Sequence, residues 1–174
     1  DDAHRLTKTV DTTTLTDKGT KNMVSQSVVE KDYGYDAQGR KFNFGNYTTN
    51  TYYADGVITG SNEWGNSNHP LFDDSGKQIG WENSNLNMGY DAQGILINGN
   101  KNTYTDTFIF DAIGKRIGNN SVRTYDQLGT DGELLSHREM IRSHQLMLDE
   151  NGKNIGYTET NSDIQYDANH AILS

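Results

Sequence analysis

Along this chain the large apolar side chains come in pairs two residues apart: Tyr33 and Tyr35, Phe108 and Phe110, Leu146 and Leu148. Other pairs follow with the same period, as Ile79 and Trp81 or Ile155 and Tyr157 do. A period of two puts alternate residues on one face of a strand. These pairs flank Asp-x-x-Gly or x-Asp-Gly turns. The turn glycines are Gly19, Gly39, Gly56, Gly76, Gly94, Gly114, Gly132 and Gly152, and a ninth copy ends in Asn169-His170. Asp accepts local backbone hydrogen bonds at a turn start, and Gly supplies the positive φ that closes it. The pattern predicts one repetitive β domain over residues 1–174, strand after strand.

The steps between turns are 20, 17, 20, 18, 20, 18, 20 and 18 residues. They alternate, so the unit is about 38 residues, made of two unlike halves. One turn reads D-x-x-G-[KR]-x-[FI], beginning at Asp36, Asp73, Asp111 and Asp149. The other is a glycine followed by aliphatic residues, as in Gly56-Val57-Ile58, Gly94-Ile95-Leu96 and Gly132-Glu133-Leu134-Leu135. His170-Ala171-Ile172-Leu173 matches it with the glycine lost. A parallel β-solenoid climbs by similar coils and has no reason to alternate. An antiparallel meander has two margins, each with its own turn. The prediction is therefore an all-β antiparallel meander of eight to nine strands, open or closed into a barrel, with a β-solenoid as the alternative.

Two details refine this picture. The segments Gly60–Asn68 and Asn98–Asn102 are poor strand formers, so some strands are expected to break around a loop. Residues 133–148 contain no Gly, Pro or Asn and should run as one strand. Such polar middles also run against an outer-membrane barrel, which is apolar at mid-height. Secondly, Phe42, Ile79, Ile117 and Ile155 each stand three residues past a turn glycine, followed by Asn43, Gly80, Gly118 and Gly156. Glycine there reads as a β-bulge beside the turn, or as a groove where another backbone or a ligand comes close.

Composition limits the core. Only 32% of residues are apolar, while Asn, Thr and Gly fill nearly a third of the chain, which fits a thin sheet. The net charge of −9 argues against nucleic acid and against an anionic membrane surface. The absence of cysteine removes disulfides and thiolate chemistry. No apolar run reaches the ~18–20 residues of a spanning helix, and Asp1-Asp2-Ala3-His4 does not read as a signal peptide.

Tyr35-Asp36-Ala37-Gln38-Gly39-Arg40, Tyr90-Asp91-Ala92-Gln93-Gly94 and Phe110-Asp111-Ala112-Ile113-Gly114-Lys115 resemble the YD repeats of Rhs-type bacterial surface and toxin-shell proteins. Those are β-hairpin units of roughly twenty residues that stack into spiralling sheets. The resemblance covers about half of the copies and implies an exported, structural β-repeat at the cell surface or outside the cell. It carries over no functional residue, because the matched positions are turn positions.

Chemistry is sparse. No H-E-x-x-H, P-loop or G-x-S-x-G occurs. His137 and His144 stand seven apart, which places them on opposite faces of a strand. His137 shares a face with Glu139, and Arg142 with His144. The carboxylates of Asp73-Asp74-Ser75-Gly76 and Asp149-Glu150-Asn151-Gly152 resemble the start of a calcium loop, but neither continues as an EF-hand does. No cofactor is expected, with calcium as the alternative. Trp64, Trp81 and Tyr157 are the candidate ligand-binding residues, as aromatic platforms for sugars with Asn62, Asn66, Asn83 and Asn85 nearby. The leading expectation is a non-enzymatic structural or interaction protein that self-associates through strand edges, with Leu6–Leu15 as the pairing segment. A barrel that binds carbohydrate or a small ligand is the alternative, and an enzyme with a site in a barrel mouth is the second.

Overall fold

A computed structural model describes residues 5–35, 39 and 41–173, of which 41–43 contribute backbone only. Most of the turn expected at Asp36–Arg40, the Phe42 side chain and the first four residues lie outside the described residues. Among the described residues nine strands follow one another: β1 Lys8–Thr16, β2 Met23–Tyr35, β3 Lys41–Ala54, β4 Val57–Phe72, β5 Gln78–Tyr90, β6 Leu96–Phe110, β7 Arg116–Leu128, β8 Leu134–Leu148 and β9 Asn154–Asp167. Their order in the sheet is their order in the chain, and every pair is antiparallel. The sheet is an open meander with β1 and β9 at its edges. The barrel and the solenoid are thereby excluded as the fold.

Turn chemistry follows the sequence. The Asp73 side chain accepts hydrogen bonds from the backbone N–H of Ser75 and of Lys77, both at 2.9 Å. The Asp73 and Lys77 backbones pair across the turn. Asp91, Asp111, Asp149 and Asp167 repeat that arrangement. Asp91 and Asp167 belong to the other margin, so the two margins share more turn chemistry than their sequences imply. At Asp55-Gly56 the turn is shorter, with φ of 50° and 81° at its two central residues, as a type I′ turn requires.

Each hairpin carries one β-bulge, always on the strand leaving the turn. The extra residues are Val24, Phe44, Thr59, Ile79, Ile97, Ile117, Leu135 and Ile155. From Thr59 onward the bulged residue always stands three past the turn glycine, and after Thr59 it is always aliphatic. The glycine that follows Ile79 or Ile117 faces another backbone: a side chain at Gly80 would overlap the Asp106 carbonyl oxygen, and one at Gly118 the His144 carbonyl oxygen. The neighbouring strand of the same chain, not a ligand, makes that close approach.

The alternating steps also slant the sheet. Trp81 pairs with Asp106 and Asp106 with Ser121, so Trp81 lies level with Ser121 and not with its repeat equivalent Asn119. Two residues of offset over two strands, ~6.8 Å against ~9.6 Å, tilt equivalent positions by about 35°.

The strands expected to break are continuous: β4 and β6 run through their Asn- and Gly-rich middles. Amide pairs and glycine covers supply what propensity lacks. Asn50 Nδ2 donates to Asn62 Oδ1 at 2.9 Å and Asn68 Nδ2 to Asn83 Oδ1 at 2.5 Å. The Tyr47 ring occupies the space over Gly65, the Met88 sulfur that over Gly99, and the Phe44 ring that over Gly34. Such covers replace the missing cross-strand side chain. The single proline, Pro70, stands past the last β3–β4 pair, Gly45 with Ser67, where among the described residues β4 is paired on one side only.

One layer is all there is. The accessible surface is 11330 Å2, against about 8,500 Å2 for a compact protein of this mass. Ile117 is the one buried large apolar residue among those described. The apolar side chains form two belts along the margins, Phe108, Phe110, Leu146 and Leu148 in one, Tyr90, Leu96, Leu128 and Leu134 in the other. Between them polar residues predominate on both faces, with Leu86, Val122 and Ile141 among them.

Candidate functional site

The middle of one face is built from amides. Asn46, Asn66, Asn85 and Asn102 pair in a row across β3 to β6, and Tyr125, Arg138 and Gln165 continue the row across β7 to β9. The adjoining row runs Asn68, Asn83, Tyr104, Arg123, Met140 and Asp163. A third runs Trp64, Asn87, Asn100, Gln127 and Ser136. Over β5 to β9 this face holds three shallow hollows of about 550, 240 and 550 Å3. They share walls. Tyr104 and Arg123 stand between the first and second, Asn102 and Tyr125 between the second and third. Together they form one open trough.

The trough's charges are mostly paired. Arg138 holds both oxygens of Asp163 through Nε and Nη2, which lowers the Asp163 carboxyl below its ordinary value. Arg142 Nη2 meets Glu159 Oε1 at 3.0 Å, and hydrogen bonds from Asn161 and then Arg142 lower the Glu159 carboxyl likewise. Asp106 accepts from Asn119 at 2.7 Å and from Ser121 at 3.2 Å. Arg123 differs: its guanidinium lies 4.7 Å from the Tyr104 ring centre, and it has no carboxylate partner among the described residues. Hydrogen bonds to the Tyr125 and Tyr104 phenols raise its pKa further.

Trp64, Trp81 and Tyr157 share this face, and the structure does not bring them together. Trp64 and Trp81 are on adjacent strands, six residues apart along them because Trp81 pairs with Pro70, a distance of ~20 Å. Tyr157 is on the edge strand β9, its ring 5.1 Å from that of His144. None of the three lines the trough. Its central residues, Tyr104, Arg123 and Tyr125, were not among the sequence candidates. One signal marks them. A repeat earlier, the equivalent positions are Asn66, Asn85 and Asn87, so the trough lies where the asparagine pattern is interrupted.

On the opposite face the His137 ring pairs with the Asp126 carboxylate across β7 and β8, with the Tyr166 ring 5.4 Å away. His144 lies on the trough face, so the two histidines are on opposite sides, as their spacing requires. Glu139 pairs with Thr124 and Ile164. No group of three His, Asp or Glu able to hold a metal occurs among the described residues. The first oxygen of each well-formed turn aspartate is engaged by backbone N–H of its own turn. The open sheet encloses no barrel mouth for a catalytic site. No protein-family model matches the chain, and no curated protein is significantly similar to it.

Proposed function

We propose that this protein is a non-catalytic, exported structural or interaction module that associates with itself through strand edges. The observation that carries the reading is the single open layer. Among the described residues, strand β1 has a β-partner on one side only, and it is rich in Thr with Val10 and Leu15 more than half exposed. An unprotected edge of that composition is a template for another strand. A sheet with almost no core gains more from lengthening its ladder than from folding back on itself. The resemblance to YD repeats supports export.

Light scattering across a concentration series tests this. The mass of the wild-type chain should rise with concentration, and Val10→Lys with Leu15→Lys should hold it at one copy. Val10 stands opposite Glu30, which Lys8 already holds at 2.9 Å, so a lysine placed there joins an existing ion pair, and circular dichroism checks that the variant keeps its sheet. A wild-type chain that stays monomeric up to millimolar concentration overturns the proposal.

A further inference from the structure

The geometry points to a binding site for an acidic oligosaccharide in the trough, with a sugar carboxylate seated on Arg123 between Tyr104 and Tyr125. Three features of the face carry this, none of which depends on edge association.

The first is charge. The other two arginines that line the trough are neutralised, Arg138 by Asp163 and Arg142 by Glu159. Arg123 is exposed, lacks a carboxylate partner among the described residues, and stands beside the Tyr104 and Tyr125 phenols. A guanidinium is a planar fork that matches a carboxylate with two parallel hydrogen bonds. In a chain of net charge −9 an uncompensated arginine at the centre of a hollow is a local exception. Repulsion from the remaining acids is screened beyond ~8–10 Å at physiological salt.

The second is the aromatic pair. Tyr104 stands next to Arg123 across the ladder, and Tyr125 two residues along the same strand. Tyr104 carries the Arg123 guanidinium over its ring, and the more exposed Tyr125 presents apolar surface with a polar tip, the mixture a pyranose needs, since its ring C–H groups are apolar and its rim is hydroxylated. An acidic peptide would use Arg123 as well, but polyglutamate has no flat apolar ring face to lay on Tyr125.

The third is the supply of amides. Asn85, Asn87, Asn100 and Asn102 flank the tyrosines, and none of their side chains has a hydrogen-bond partner among the described residues. Each amide offers donors and an acceptor together, as vicinal hydroxyls do. Strand spacing repeats them every ~4.8 Å. Gln127 on β7 and Ser136 on β8 continue the row of Asn87 and Asn100, and from β5 to β8 the polar track spans ~14 Å, the reach of a short oligosaccharide.

The test is titration calorimetry with hexagalacturonate, with cellohexaose and hexaglutamate as the neutral and peptide controls. Hexagalacturonate should bind, and Arg123→Gln and Tyr125→Ala should each weaken it by about tenfold or more. Trp64→Ala, on the same face outside the trough, should leave binding unchanged. Circular dichroism establishes that each variant keeps the sheet. The inference is overturned if hexagalacturonate fails to bind at millimolar concentration, if Arg123→Gln binds it like wild type, or if hexaglutamate binds as well as the uronate.

Discussion

Gly80 lies so close to the carbonyl oxygen of Asp106, on the next strand, that no side chain fits between them. The same holds for Gly118 and the carbonyl of His144, one repeat later. Because the obstacle is backbone, the sheet can relieve a clash only by shifting a ladder. Gly80→Ala and Gly118→Ala should each destabilise the protein by about 1–3 kcal/mol, read as a lower denaturant midpoint. A change below a few tenths would mean that the strands part freely at the bulge.

Asn68 and Asn83 form one rung of the amide face. Asn68→Ala is expected to cost about 0.5–1.5 kcal/mol. A double-mutant cycle with Asn83→Ala should return a coupling of roughly 0.2–1 kcal/mol. Strict additivity would show that the amides stand side by side without interacting.

Tyr47 covers Gly65 on the neighbouring strand and also leans on Gly45. Tyr157, on the edge, is 62% exposed. Tyr47→Ala should therefore lower the melting temperature well beyond Tyr157→Ala, in two thermal melts run side by side. Equal effects would remove glycine covering as a source of stability.

Several carboxyls titrate below their ordinary values in the folded chain. Hydrogen bonds from the Ser75 side chain and the Lys77 backbone lower Asp73, and the Arg138 guanidinium lowers Asp163. A lowered folded pKa contributes stability that is complete above the unfolded value of 3.8. That contribution is lost as pH falls through the folded value. The melting temperature should accordingly drop as pH is taken from about 5 to about 2. Asp73→Asn combined with Asp163→Asn should flatten that drop. An unchanged profile would assign acid sensitivity to other groups.

Much of the fold was legible because turns are written locally. The aspartate-to-backbone bonds at Asp73, Asp111 and Asp149 use residues within one turn, so spacing alone revealed them. The alternation of steps correctly implied two margins. Its second meaning, the slant that sets Trp81 level with Ser121 instead of Asn119, lies in the same unequal steps, because the single bulge of each hairpin cancels from one pairing to the next. The polar middles misled, since Gly65 and Gly99 are weak strand residues by themselves and become serviceable under Tyr47 and Met88. The same slant hid the trough. Tyr104 and Tyr125 belong to different strands and heights in the repeat, and aromatic residues matched by repeat position do not meet in space.

The one-layer ladder has a mechanical consequence. Strands β1 and β9 lie at opposite edges, so tension between the two ends of the chain pulls across the strands and loads one rung at a time. Such a sheet yields by unzipping, with no central body whose failure would end the process at once. Each two-strand unit would release ~130 Å of extended chain in exchange for ~10 Å of sheet width. The molecule would lengthen at low, nearly constant force, as a tether that unwinds hairpin by hairpin and rewinds in the reverse order.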